Sequence, residues 1–174
     1  MKIISLTKII KLLVMMSLLV FPSIGTAAEY QIKVIDVGNL KTLESFKSVD
    51  EFEKYYRQIS QHCLDQSGGG SGAAPCFVAY NMWDRELNFY YEQLMKILGK
   101  KEKALLRESQ LAWIKERDKT IDFNSALMDK IFTSGGTMDV LMRADFADET
   151  ITPIVKQRAL LLKKWKDHIK GNKK

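Results

Sequence analysis

Gln110, Trp113 and Arg117 are the side chains of this 174-residue chain whose types and spacing could best act together. Residues three and four apart on a helix lie one above the other, so an amide, an indole and a guanidinium share one stripe. Such a stripe donates and accepts hydrogen bonds and carries charge, but it contains no nucleophile. It needs a polar partner across the contact, and Asn88 on the preceding helix is placed to supply one. Cys63 and Cys76 admit three chemistries: a disulfide, two reduced thiols, or a metal site with His62. The other histidine, His168, lies far along the chain, so a nearby fourth metal ligand is lacking and no metal is expected. Two unplaced histidines do not build a Ser-His-Asp or Cys-His set. The acids are many, yet none falls in the paired frame that glycoside hydrolysis requires. The sequence therefore points to no catalytic residue and no cofactor, and to a protein that binds.

The N-terminus carries a targeting pattern. Lys2, Lys8 and Lys11 form a basic region, Leu12 to Phe21 an apolar run, and Pro22 to Ala28 a stretch of small residues. This is the pattern of a cleaved signal peptide, residues 1–28, with the cut after Ala28. The apolar run is short of the ~20 residues of a spanning helix, so contact with a membrane is expected only through the signal. No Cys follows the run, which argues against a lipid anchor. The expected location is the bacterial periplasm or outside the cell. In that oxidising setting an isolated cysteine pair 13 positions apart is most simply a disulfide. In the chain-entropy account it would contribute ~3 kcal/mol. The enclosed stretch from Gln66 to Pro75 is almost devoid of side chains that pack.

The formal charge of +6 overstates the mature chain, because three lysines and no acid leave with the signal, giving +3. Residues 29–99 hold 7 basic and 10 acidic side chains, a net −3, whereas 100–174 hold 17 and 11, a net +6. The basic share is heaviest from Lys156 to Lys174, where lysines suit the negative end of a helix dipole. No nucleic-acid reading motif is present, and nucleic acid is not an expected partner.

These residues must be positioned by helices. Residues 30–36 alternate like a short strand without a partner, so 29–47 reads as an N-terminal arm. Ser48 and Glu51 have capping-box spacing and open a helix to about Asp65, with Phe52, Tyr55 or Tyr56, Ile59 and Cys63 on its apolar stripe. Pro75 suits the entry of a second helix over 76–99, striped by Tyr80, Trp83, Leu87, Tyr91 (with Tyr90 beside it), Leu94 and Leu98 and capped by Gly99. A third runs from Glu102 to about Phe132, with Leu105, Leu106, Ser109, Trp113, Arg117, Ile121 and Leu127 to Met128 inward. Thr133 to Thr137 is a break. A final helical region follows to about Lys170, interrupted near Pro153, where a new helix is expected to begin. The expected fold is all-α: a single-domain bundle of about four helices with an N-terminal arm and one disulfide. The mature chain divides into 29–75, holding arm, first helix and Gly-rich loop, and 76–170, the remaining helices. Arg117 and Asp118, being adjacent, are expected to face apart, with Arg117 turned inward to Asp84 or Glu92.

Asp84-x-x-Leu87-Asn88-x-x-Tyr91 followed by Gln110-x-x-Trp113-x-x-x-Arg117-Asp118 resembles the LprI-type lysozyme inhibitor family, small secreted helical domains. Cys76, Gly135-Gly136-Thr137 and Arg158 fit further landmarks of that family, so the resemblance covers roughly Cys76 to Leu162. Many relatives carry two more cysteines, after the Arg-Asp pair and after the Gly-Gly segment. Here those regions read Lys119 to Phe123 and Arg143 to Ala147, without Cys, as if one disulfide had been dropped. The resemblance implies a protein partner, a lysozyme or other muramidase, and makes the eight motif residues a structural network. The same physics would serve an immunity protein against a peptidoglycan-degrading toxin, or an adaptor of the envelope. The candidate partner-binding element is the loop of Ser67, Gly68, Gly69, Gly70, Ser71 and Gly72, tied at its base by the cysteine pair. Glycines there let a partner approach the backbone closely. The −3 half of the chain is the one that would attract a cationic enzyme.

Overall fold

The computed structural model describes residues 35–171. The signal-peptide pattern and most of the expected strand lie outside them. Residues 35–47 form no strand; they make two short 3-10 turns, Val37–Asn39 and Leu43–Ser45. Helix α1 spans Val49–Gln66. Ser48 Oγ accepts the Glu51 N–H at 3.1 Å, and the Glu51 carboxylate accepts the Lys47 N–H at 3.0 Å, one residue ahead of the cap. Phe52 and Tyr56 are its buried residues, in edge-on contact with each other.

The second helix, α2, spans Ala79–Ile97, three residues later than its expected start. Pro75 lies inside a 3-10 turn, Gly70–Cys76, rather than at the helix entry. The reason is the fully buried Cys76, which is bonded to Cys63 and fixes the backbone before α2 can begin. Trp83, Leu87, Tyr90 and Leu94 recur every three or four residues and are all buried, as is Met82 beside Trp83. The stripe passes through Tyr90 rather than Tyr91, which is half-buried beside it, because Tyr90 follows Leu87 by three residues and precedes Leu94 by four. Gly99 caps the start of the next helix rather than the end of α2, with φ −74°.

Helix α3 spans Lys100–Ile131 and α4 spans Thr137–Gly171. The inner face of α3 is narrower than expected: Leu106, Gln110 and Met128 are buried, while Leu105 is 56% exposed. A residue next to an inward one turns about 100° away, and α3 touches α4 along too slim a seam to cover both. The break expected near Pro153 is absent, and α4 is one helix through it. Pro153 and Glu149, whose carbonyl loses its N–H partner, both face solvent, so water can satisfy that carbonyl. Ile151, Thr152 and Val155 are buried on the opposite side and hold both flanks in register.

Side-chain contacts give the directions. Lys156 lies over Trp83 and Lys166 over Tyr90, so α4 runs parallel to α2 and packs along it. Arg158 reaches Ser109 and Gln110, and Arg143 reaches Asp129, so α3 runs antiparallel to α4. Phe52 meets Trp83 while Cys63 is joined to Cys76, so α1 is antiparallel to α2. The core gathers Phe52, Tyr56, Met82, Trp83, Leu87, Tyr90, Leu94, Leu106, Val155, Ala159 and Leu162. At 1.5 Å per residue, the part of α4 before Ile151 overhangs the start of α2 by about 20 Å.

Candidate functional site

The motif residues lie on α2 and α3 and divide into two groups. Leu87 is core. Asp84, Asn88 and Tyr91 follow the outer flank of α2. Asn88 Nδ2 donates to Asp84 Oδ2 at 3.0 Å within the same helix, so it does not bridge to the α3 stripe. An i,i+4 amide–carboxylate pair was available to it without crossing a helix interface.

On α3, Gln110 is buried and Trp113 and Arg117 are half-buried. The Arg117 guanidinium carbon stands 5.3 Å from the Trp113 ring centre. Arg117 does meet Asp118: Nε and Nη2 both donate to Asp118 Oδ1, at 2.9 and 2.7 Å. The long arginine stem folds back along the helix far enough to reach its neighbour. Asp84 Oδ1 is 3.9 Å from Arg117 Nη1, a looser pairing across the two helices. Burial works against the Arg117 cation, but the Asp118 hydrogen bond and the acids around it prevail and raise its pKa.

The cross-helix partner of Gln110 is Arg158 of α4, whose Nε donates to Gln110 Oε1 at 2.9 Å; its Nη2 donates to Ser109 Oγ at 3.0 Å. Its guanidinium carbon is 5.8 Å from both the Trp113 and the Trp165 ring centres. The sequence marked Arg158 as a landmark, but nothing in a single chain says that position 158 faces position 110. Burial pushes the Arg158 pKa below the ordinary arginine value.

The Gly-rich loop occupies the other end. Cys63 and Cys76 are disulfide-bonded, with Cα atoms 5.5 Å apart. Ser67 and Ala73 are buried, whereas Gly68, Gly69 and Ser71 are exposed. The loop is not a free arm: it packs beneath the overhang of α4. Gly70, at φ +56°, is so close to α4 that a Cβ there would stand 3.0 Å from Thr137 Oγ1 and 3.1 Å from Thr137 Cβ. The turn from α3 to α4 adjoins it, held by Asp139 Oδ2, which accepts the Ser134 and Gly135 N–H groups at 2.8 and 3.1 Å. The Ser134 side chain first, and then those backbone bonds, lower the Asp139 pKa. Around this end Phe123, Ile131, Met138, Val140 and Met142 are exposed, Phe123 by 69%. Beneath them a groove of about 570 Å³ runs between α2, α3 and α4, lined in part by Tyr80, Ile121, Met128 and Ile151.

No group of metal-ligating side chains occurs among the described residues, and no helix among them is long and apolar enough to cross a membrane. No curated protein and no solved structure matches the chain. The family model described as lysozyme inhibitor LprI matches residues 63–157. The match starts earlier than the sequence motifs suggested, so it takes in both cysteines and the loop between them, and it stops one residue short of Arg158. It covers more than half of the chain, with the disulfide loop, α2, α3 and the first part of α4: the chain belongs to the LprI lysozyme inhibitor family.

Proposed function

We infer that this protein is exported after cleavage behind Ala28 and inhibits a lysozyme-type, peptidoglycan-degrading enzyme by binding it, without chemistry of its own. The family supports an inhibitor-like role and a lysozyme-type partner. The contact end in this reading is the disulfide loop, Ser67 to Gly72, together with the α3–α4 turn above it. The observation that carries it is the grouping at one end of exposed glycine backbone and exposed large apolar side chains. Isolated exposed apolar residues are ordinary, but a cluster rimmed by polar groups marks a contact surface. Glycines at 68 and 69, both at positive φ with open space around the missing Cβ, let a partner's surface reach the backbone. The −3 half of the chain supplies this loop and suits a cationic enzyme.

The test is an inhibition titration of oxidised 29–174 against chicken-type, goose-type and bacterial muramidases acting on peptidoglycan. The expected result is inhibition that saturates near one inhibitor per enzyme and is weakened by Met138→Asp. Activity untouched at tenfold excess for every enzyme would overturn the reading and direct the search to a dedicated toxin.

A further inference from the structure

Two cations are nearly inaccessible among the described residues, Arg158 at 8% and Lys166 at 4% exposure. Lys166 is ion-paired with Glu44 and Asp167. Among the described residues Arg158 has no carboxylate partner: the two acceptors it uses, Gln110 Oε1 and Ser109 Oγ, are neutral. A buried charge without a counter-ion is costly, and the two flanking indoles offset only part of that cost. Nε and Nη2 are engaged, while Nη1 makes no hydrogen bond among the described residues. Arg158 lines a groove of about 380 Å³ between α3 and α4, with Trp113, Arg117, Thr120, Gln157 and Leu161 around it. That volume is within the range of small-ligand sites.

We propose that this groove is a binding site for the carboxylate of a small ligand, with Arg158 supplying the charge, Trp113 the wall, and Thr120 and Gln157 the polar rim. A guanidinium offers a planar fork that matches a carboxylate. The neighbouring charges favour a monoanion over a phosphate. Arg117 is already neutralised by Asp118, so it adds little net attraction. Glu116 stands at the rim, with no ion pair among the described residues, and would repel a dianion more strongly. The site lies on the middle of the α3–α4 seam, away from the loop end, and does not depend on the inhibitor reading. In the envelope, such a carboxylate is carried by an acidic amino sugar or by the end of a short peptide.

The experiment is a titration of oxidised 29–174 followed by the indole N–H signals of Trp113 and Trp165. The probes are N-acetylmuramic acid, N-acetyl-D-alanine, neutral N-acetylglucosamine and inorganic phosphate. The expected result is saturable shifts with one or both carboxylates and none with N-acetylglucosamine. Saturation by the sugar acid alone, or by the alanine derivative alone, identifies the source of the carboxylate. Arg158→Gln should weaken binding at least tenfold. Gln157→Glu, at an exposed rim position, places a competing carboxylate beside Arg158 and should weaken it similarly while the variant melts no lower than the parent. Should Arg158→Gln not fold, Gln157→Glu decides. No saturation with either carboxylate, equal binding of N-acetylglucosamine, or undiminished binding by Gln157→Glu would overturn the proposal.

Discussion

Tyr56 and Tyr90 both bury their rings in the core, and they differ in what their hydroxyls meet. Tyr56 Oη accepts the Trp83 indole N–H at 3.1 Å and donates to Glu53 Oε1 at 3.1 Å. The Tyr90 hydroxyl is buried without a hydrogen-bond partner among the described residues. Tyr56→Phe should therefore cost ~1–3 kcal/mol, because it strands a buried indole N–H, and should lower the urea midpoint. Tyr90→Phe removes an unsatisfied group and should melt no lower than the parent. Burial raises the pKa of both phenols. A folded-state pKa above the unfolded value means stability that is intact below about pH 10 and falls as pH climbs past it, because only the unfolded chain ionises there. Melting temperatures taken across the alkaline range should show that fall, and Tyr90→Phe should lessen it. Much at this scale was legible: the cysteine pair, the Ser48 cap, and Trp83 and Leu87 as core all follow from spacing. The Arg117–Asp118 contact was not, since pattern gives the direction of a Cβ but not the path of a long flexible stem. Arg158 as partner of Gln110 needs the relative placement of α3 and α4, which one chain does not encode in any local signal.

Arg85 shows how one side chain governs an element. It donates to the carbonyls of Val37, Leu40 and Lys41, so it clamps the arm onto α2. It also pairs with Glu86, which is fully buried. Arg85→Ala should release the arm, seen as faster amide exchange over 37–46. It should also destabilise the domain by ~3–5 kcal/mol by leaving Glu86 uncompensated. Adding Glu86→Gln should recover part of the loss of stability but not the exchange protection, which separates the two roles. Pro153→Ala restores an N–H within α4 and should raise the melting temperature, worth ~1–3 kcal/mol. The helices themselves were readable from their 3.6-residue stripes. Their ends were less so, because tertiary contacts set them: the buried Cys76 delays α2, and buried flanks carry α4 through a proline that alone would stop it.

At the scale of the whole molecule, the disulfide joins the end of α1 to the turn before α2, enclosing a loop that then packs under α4. Replacing both cysteines by Ser should cost ~3 kcal/mol in the chain-entropy account, measured by denaturant unfolding. The larger non-local commitment is the parallel pairing of α2 with α4. All of α3 is made between them, and α4 is the last helix among the described residues. A chain emerging N-terminus first has α1 to cover part of Trp83, but the rest of the α2 stripe waits for the 35-residue α4. A growing chain must therefore be shielded from its neighbours until α4 has been made. A premature stop codon anywhere in α3 would leave a sticky half-core rather than a smaller working protein.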